Sequence, residues 1–232
     1  MKGKIEMQPK YHMTKEQNIF LAKRNIVDYI WKSANLEGIG VTYPDTQAIY
    51  NDMSVAGYKV EEIDAVNDLK HAWQLLLSTI DVPLNLAYVK KLHLQLGRRT
   101  VINAGSLRLS DAYIGGTNWI PDIPDEMKLE RDMEEIKRKV DILDRALNMT
   151  LYLMRSQIFY DGNKRLSMMI GNKIMIENGM GIISVPQDKI SGFYDRLIPF
   201  YETGDLKEIK QFLYDFCIDG MEFPEGAKIP EN

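Results

Sequence analysis

The sequence contains one cysteine, no long apolar run and no block of like charges. Cys217 cannot form a disulfide within the 232-residue chain. Its apolar neighbours Phe212, Leu213 and Phe216 recur at helical spacing, which predicts that the thiol packs in a core in a reducing compartment. No run of 18 apolar residues occurs, and the N-terminal stretch lacks the apolar segment of a signal peptide. We therefore expect a cytoplasmic protein without a membrane partner.

The charge balance of the chain is mild. It has 29 basic and 33 acidic residues and a formal net charge of −4. Such a composition gives no reason to expect nucleic acid as a partner, although it leaves room for local basic patches. With 45% hydrophobic residues, the chain can bury a sizeable core in one large domain or two small ones.

Apolar residues recur at helical spacing along most of the chain, which predicts an all-α fold. Thr14 and Gln17 are spaced as a capping box, so the first helix is expected to start there and to continue to Gly38. Two segments differ: residues 107–121 fit a hairpin or an extended flap, and residues 181–186 fit a short strand. Further helices are predicted at 44–54, 61–79, 84–97, 126–156, 164–178, 187–202 and 205–219.

A short polar stretch, Asp161-Gly162-Asn163-Lys164-Arg165, separates two of these predicted helices. Free backbone N–H groups at a helix start, beside a glycine, attract anions, and Lys164 and Arg165 add positive charge there. Asp161 could hold a hard cation such as Mg2+ against a phosphate, and Asn163 could donate to a phosphate oxygen. The same stretch also fits a plain turn that caps a helix.

Residues 158–165 resemble the signature of the Fic (Fido) family, H-x-F-x-[DE]-G-N-[GK]-R-x-x-R. Three further segments are similar to family features in the right order: SANLEG at 33–38 to the inhibitory motif, residues 66–76 to the helix before the core, and residues 102–124 to the target-docking flap. The resemblance implies an all-α Fic-domain helical bundle with a small β-hairpin flap. It also implies ATP and Mg2+ as cofactors, and transfer of AMP to a target-protein hydroxyl.

The resemblance assigns roles within the signature loop, 157–168. Asp161 would hold the metal, Gly162, Asn163 and Lys164 would line the phosphate nest, and Arg165 would contact phosphate oxygens. Phe159 would anchor the loop in the core. The flap would pair with an extended target segment, although a surface hairpin that merely covers a helix end is the alternative. The flap residues expected to contact the target are Ala112, Tyr113, Ile114, Gly115 and Gly116.

The chain would then divide into an N-terminal helix with the inhibitory motif and a Fic-like core. The corresponding ranges are a tail at 1–13, the helix region at 14–40, the core at 41–220 and a second tail at 221–232. Homo-oligomerisation is left open.

Ser33 and Glu37 are four residues apart on one face of the first helix, with Glu37 just before Gly38. A carboxylate at a helix C-terminus opposes the helix dipole, so Glu37 is expected to have a cationic partner. A solvated glutamate is the plain alternative. In the family the equivalent glutamate pairs with the final arginine of the signature, but Met168 stands at that position here. Lys164 or Arg165 would then be the partner.

Gln157 stands where the family has its catalytic histidine. An amide has no usable basicity near neutral pH, and a general base contributes about 10²- to 10⁴-fold in rate. Neither His12 in the tail nor His71 and His93, which are expected to be packing or surface residues, replaces it. Three hypotheses remain: an impaired AMP transferase held off by Glu37, a Doc-like protein kinase, or a Fic-fold protein that binds without turnover.

Overall fold

The structure is a computed structural model that describes residues 7–224, and most of this range is α-helical. Part of each predicted tail lies outside the described residues, namely residues 1–6 of the first tail and residues 225–232 of the second. Thr14 and Gln17 form the expected capping box, in which each side chain accepts a hydrogen bond from the other's backbone N–H. The helices are α1 (Lys15–Arg24), α2 (Ile26–Leu36), α3 (Tyr43–Tyr50), α4 (Val60–Ser78), α5 (Leu86–Leu96), α6 (Glu126–Lys137), α7 (Ile142–Ser156), α8 (Asn163–Glu177), α9 (Ile190–Thr203) and α10 (Lys207–Phe216).

Two of the helices predicted from the sequence are each divided into two shorter helices in the structure. The first is interrupted at Asn25, which ends α1 and precedes α2. The predicted helix at 126–156 stops after α6 and restarts at α7, because the Asp141 side chain accepts a hydrogen bond from the Asp144 N–H at 2.9 Å and caps a new helix. The other predicted helices are confirmed, with ends that differ by a few residues.

The only sheet in residues 7–224 joins β1 (Ile182–Ile183) to β2 (Ile218–Asp219) in antiparallel register. It confirms the short strand predicted within 181–186. The predicted hairpin is wrong in one respect, because residues 102–124 contain turns and extended backbone but no paired strands. We call this segment, residues 102–124, the flap; side-chain hydrogen bonds hold it in place of a strand ladder.

The core is centred on α7 and α8, which form the most extensive helix pair. Their close approach depends on Gly171, since a Cβ there would lie 2.0 Å from the Thr150 hydroxyl oxygen. Cys217 is buried, as predicted. Within residues 7–224, no helix combines the length and apolarity needed to cross a membrane.

Helix α2 packs on this core so that its C-terminal end reaches the start of α8. Tyr29 is buried, stacks on Trp73 at 5.8 Å between ring centroids, and donates a hydrogen bond to the Asp219 carboxylate at 2.6 Å. These contacts fix the helix along its length and thereby fix where Glu37, its C-terminal cap residue, is placed.

Candidate functional site

The loop between α7 and α8 reverses the chain within a few residues. Gln157 ends α7 with φ +45° and Gly162 precedes α8 with φ +75°, so two left-handed residues make the turn. Phe159 is fully buried between them and anchors the loop, as predicted. The side chain of Asn163 closes the loop: it accepts from the Phe159 N–H at 3.0 Å and donates to the Phe159 carbonyl at 2.8 Å.

The phosphate contact predicted for the Asn163 side chain stays a prediction, and the structure shows which partners this side chain has within the loop. Its second amide hydrogen is donated to Oε1 of Gln157 at 3.1 Å, so both of its hydrogens are used inside the loop. Asn163 is also buried, with 5% of its surface exposed. Its side chain thus closes the signature loop, and it lies among the residues that line the neighbouring cleft.

His93 of α5 supports the loop from below, a role that its sequence position did not reveal. The ring stacks on Phe159 with 3.6 Å between centroids. Nδ1 accepts a hydrogen bond from the Gly105 N–H at 2.8 Å, so the proton of the neutral ring must lie on Nε2, which donates to the Asp161 carbonyl at 2.9 Å. Burial lowers the pKa of His93 to about 4. The expected packing role is confirmed, and two hydrogen bonds are added to it.

The start of α8 presents free backbone donors beside two cations. No described acceptor receives the N–H groups of Lys164 and Arg165, which lie in the first turn of the helix. The Arg165 side chain is only 5% exposed, and its Nη2 lies 3.6 Å from the Asp161 carboxylate. A helix start with one buried and one half-buried cation is a favourable place for an anion.

Glu37 supplies an anion from within the chain. One carboxylate oxygen lies 3.1 Å from Nζ of Lys164, and the other lies 3.8 Å from Nε of Arg165. Both cationic partners proposed from the sequence are therefore confirmed. The more distant pair is incomplete, because Oε1 of Glu37 and Nε of Arg165 are buried and neither forms a hydrogen bond. The unsatisfied Nε donor of Arg165 leaves room at this point for one more oxygen acceptor.

Tyr194 of α9 closes the contact between α2 and α8. Its hydroxyl accepts a hydrogen bond from Nζ of Lys164 at 2.9 Å and donates to the Leu36 carbonyl at 2.6 Å. Burial opposes the charge of Lys164, but the Glu37 carboxylate and the Tyr194 hydroxyl outweigh it and raise the pKa of Lys164. Gly38 follows with φ +79° and ends α2.

Ser33 lies one helical turn before this contact. It lines a small cavity between α2 and α8 together with Arg165 and Met168. The side chain of Met168 therefore lies beside Arg165 without adding a second cation. The structure thus brings Ser33 close to the signature helix but not into the Glu37 ion pairs.

The open space at the start of α8 is a cleft of about 400 Å³. Its floor is the signature loop, and its walls come from the flap and from α9. Such a volume is in the usual range for small-molecule sites. The residues that line it are Glu37, Tyr113, Ile114, Gly115, Gln157, Tyr160, Asp161, Gly162, Asn163, Lys164, Tyr194, Leu197, Ile198 and Tyr201.

Arg108 holds the flap over the cleft. Its guanidinium is fully buried and donates only to backbone carbonyls: those of Gln157 at 2.6 Å, Ser110 at 2.6 Å, Pro121 at 3.0 Å and Asp122. These bonds tie both ends of the flap to the signature loop without a strand ladder, which explains why the predicted hairpin is absent.

The predicted docking residues lie along the extended part of the flap. Tyr113 is 81% exposed, Gly115 and Gly116 are exposed, and Ala112 and Ile114 are half-buried. A turn at 114–117 is closed by the Thr117 N–H, which donates to the Ile114 carbonyl at 3.4 Å. Of the five docking residues, Ile114 is the one whose backbone forms a backbone–backbone hydrogen bond within residues 7–224.

Gln157 contributes structure at the position of the family histidine. Its Nε2 donates to the Met154 carbonyl at 2.7 Å and its Oε1 accepts from Asn163, so the side chain joins the end of α7 to the loop. Tyr201 lies 3.4 Å from the same Nε2, and burial raises the pKa of its hydroxyl, so it does not supply a base. The cleft has no histidine among its lining residues.

Asp161 is the residue best placed for a metal ion. Its side chain is 65% exposed and lines the cleft. Within residues 7–224, no group of three or more potential ligand side chains could hold a metal alone. Mg2+ is commonly bound by one or two carboxylates together with substrate phosphates, so a single aspartate beside an anion site fits that ion.

Comparisons with known proteins point to one family. Residues 83–175 match the family model described as the Fic/DOC family. The chain is 23% identical over 203 residues to the protein adenylyltransferase Fic of Drosophila melanogaster, covering 83% of this chain and 41% of the relative. It thus spans about two fifths of the length of the curated relatives it matches.

Two solved structures show the same helical fold. Fic-1 of C. elegans has a TM-score of 0.73 at 20% identity, covering 83% of this chain and 61% of that one. BepC of Bartonella tribocorum, solved with bound AMPPNP, has a TM-score of 0.50 at 17% identity, covering 78% of this chain and 90% of that one.

Proposed function

Because the chain is a Fic family protein, we propose that its cleft binds ATP with Mg2+. We further propose that it transfers AMP to a target-protein hydroxyl, with transferase activity that is impaired. The observation that carries this proposal is the start of α8, where Lys164 and Arg165 are held together by Glu37. Relatives named protein adenylyltransferase support the reaction class. The structure with AMPPNP supports the nucleotide.

The residues at the start of α8 would hold the phosphates. Lys164, Arg165 and the backbone N–H groups of the first turn would donate to phosphate oxygens, and Asp161 would hold Mg2+. The metal ion supplies positive charge that offsets the charge of the phosphates. Arg165 has a buried donor, Nε, without a hydrogen-bond partner, which a phosphate oxygen would satisfy.

Glu37 would act as an internal competitor of the nucleotide. Its carboxylate neutralises the cations that phosphates would otherwise neutralise, and the Tyr194 bond to Leu36 keeps α2 in place. The free energy of phosphate binding would therefore have to offset the loss of these contacts. This is autoinhibition by occupation of an anion site.

Gln157 would limit the chemistry. The target hydroxyl must lose a proton as it attacks the α-phosphate, and an amide already bonded on both of its polar atoms cannot accept one. Loss of the base corresponds to about 3 to 5 kcal/mol of activation free energy. The remaining chain residues still bind and orient the nucleotide, so binding without turnover is the limiting case.

A second candidate function is phosphate transfer with the nucleotide reversed, as in the Doc branch of the family. Met168 favours it, because its side chain lies beside Arg165 where a second arginine would otherwise contact the γ-phosphate. Gln157 weakens this candidate as well, since that branch also keeps the histidine.

The flap would present the target. Its exposed stretch at 112–116 borders the cleft, so an extended target segment could pair with it and bring a hydroxyl over the α-phosphate. Because Arg108 fixes both ends of the flap, this surface would be preorganised for such a partner.

An ATP titration with Mg2+ tests the nucleotide site. Calorimetry should give a Kd that rises about tenfold or more in Arg165→Ala and in Asp161→Ala, because each change removes a charged partner of the bound complex. The Asp161→Ala effect should disappear when EDTA replaces Mg2+. Asp188→Ala, at an exposed aspartate outside the cleft, is the control and should leave Kd unchanged. Equal affinity in all four proteins would rule out the proposed site.

A further inference from the structure

A second cavity, of about 390 Å³, shares a wall with the nucleotide cleft. Trp119 of the flap lines it, and Trp119 stacks on Tyr201, which lines the cleft, with 6.0 Å between ring centroids. The volume lies in the usual range of small-molecule sites. Most of its walls are apolar, formed by Ile123, Leu129, Ile136, Ile158, Phe200 and Leu206.

Arg155 of α7 is the charged group that lies deepest in this cavity. The other charged side chains in its lining, Asp122, Asp125 and Lys128, are exposed, whereas Arg155 is half-buried. Its guanidinium lies over the Trp119 ring, 4.3 Å from the centroid, which fixes its orientation. Burial lowers the pKa of Arg155, and the charge of the exposed Asp122 carboxylate opposes this shift without outweighing it.

The hydrogen-bonding capacity of Arg155 is only partly used. Its Nε donates to the carbonyls of Phe200 and Tyr201 at 3.2 and 3.0 Å. Within the part of the chain that the structure describes, no carboxylate pairs with the guanidinium and its two Nη groups donate to no acceptor. A guanidinium with two free, neighbouring nitrogens matches the two oxygens of a carboxylate.

The hydroxyl groups of the cavity are committed elsewhere, and Nδ2 of Asn148, a further lining residue, donates to the Asp144 carbonyl. The Tyr152 hydroxyl donates to the Asp132 carboxylate at 3.0 Å, and the Ser156 hydroxyl donates to the Tyr152 carbonyl at 2.7 Å. Arg155 is therefore the half-buried cation in the lining with free donors, since the other lining cation, Lys128, is exposed and pairs with Asp132. The exposed rim carboxylates are solvated and would gain little from a bound ammonium group.

We propose that this cavity binds a small organic carboxylate with an apolar body. The carboxylate would pair with the Nη groups of Arg155, and the body would lie against the apolar walls. The charge favours an anion over an amine, and the surrounding aliphatic side chains favour a hydrocarbon or aromatic body over a sugar or a free phosphate.

Titration with 4-phenylbutyrate and with its neutral amide, followed by NMR, tests this proposal. The chain has three tryptophans, so the indole N–H signals of Trp31 and Trp73 serve as internal controls for that of Trp119, assigned with Trp119→Phe. The carboxylate should shift the Trp119 signal saturably and bind about tenfold more tightly than the amide, because its hydrogen bonds are charge-assisted.

Two variants complete the test. Arg155→Gln should remove the preference for the carboxylate, whereas the control Arg145→Gln should retain it. Arg145 is a matched control because it also lies on α7 and donates to a backbone carbonyl but does not line the cavity. Ile123→Trp changes an exposed residue of the flap and should fill the cavity, so both probes should bind more weakly. This variant keeps the proposal testable even if Arg155→Gln folds poorly.

The proposal is overturned if neither probe shifts the Trp119 signal at millimolar concentration. It is equally overturned if the two probes bind the unaltered chain with the same Kd, or if Arg155→Gln, once shown to be folded, keeps the carboxylate preference.

Discussion

The Glu37 carboxylate lies 3.1 Å from the Lys164 ammonium, so the residue that caps the C-terminal end of α2 meets the first turn of α8. The contact joins the negative end of one helix dipole to the positive end of another and adds a full charge to each. A phosphate at the same place would satisfy the same cations. Inhibition and nucleotide binding are therefore expected to compete for one site.

Removing the charge of Glu37 should strengthen nucleotide binding. In Glu37→Gln the side chain keeps its shape but no longer neutralises Lys164 and Arg165, so the Kd for ATP should fall about tenfold or more, as calorimetry can measure. The unliganded variant should also have a lower Tm, since the buried Arg165 and the half-buried Lys164 then lie together without the Glu37 charge. Glu61→Gln, an exposed change in the first turn of α4, should do neither. An unchanged Kd in Glu37→Gln would contradict the competition.

His93 should make the fold sensitive to acid. Its pKa is about 4 in the folded chain against a usual value near 6.5, so between these pH values the unfolded chain binds a proton there that the folded chain does not. The free energy of unfolding should therefore decrease by about 3 kcal/mol as pH falls from 6.5 to 4. Urea unfolding at a series of pH values measures this slope.

The histidine origin of that slope can be isolated. His93→Phe loses the bonds to Gly105 and Asp161, so it should be less stable at neutral pH but should lack this part of the slope. His71→Phe, at a half-buried histidine of α4, should retain it. The same slope in His93→Phe as in the unaltered chain would show that another group is responsible.

Arg108 should be required for the position of the flap. Arg108→Lys keeps the charge but cannot reach four carbonyls in three segments, so it should lower the free energy of unfolding by about 3 kcal/mol. Hydrogen exchange at the Leu109 amide, which donates to the Tyr160 hydroxyl at 3.1 Å, should accelerate. Arg98→Lys, on the exposed surface nearby, is the matched control. If both variants exchange equally fast at Leu109, Arg108 does not position the flap.

The helices could be predicted well because their signals are local. The Thr14 and Gln17 capping box and the glycine at 179 after α8 are written in a few adjacent residues. The restart at Asp141 was missed because the apolar pattern continues across it, although an aspartate before Ile142 is itself a capping signal.

The site residues were harder to predict where their partners are distant in sequence. The role of Arg108 depends on carbonyls up to 49 positions away, and that of His93 on residues 12 and 68 positions away. Tyr194, which joins Lys164 to α2, had no local signal either. The loop-closing bonds of the Asn163 side chain had no local signal either, since only the folded loop brings Gln157 and Phe159 to it.

Transfer of labelled AMP tests the central claim, that the nucleotide site is intact while the base at Gln157 is missing. Glu37→Gly and the double variant Glu37→Gly with Gln157→His would each be incubated with Mg2+ and ATP labelled at the α-phosphate, with the protein itself and a cell lysate as acceptors. A parallel reaction with γ-label detects phosphate transfer. The double variant should incorporate α-label at least about 10²-fold faster than Glu37→Gly alone. Equal α-label incorporation by the two variants, or none by the double variant, would contradict the account.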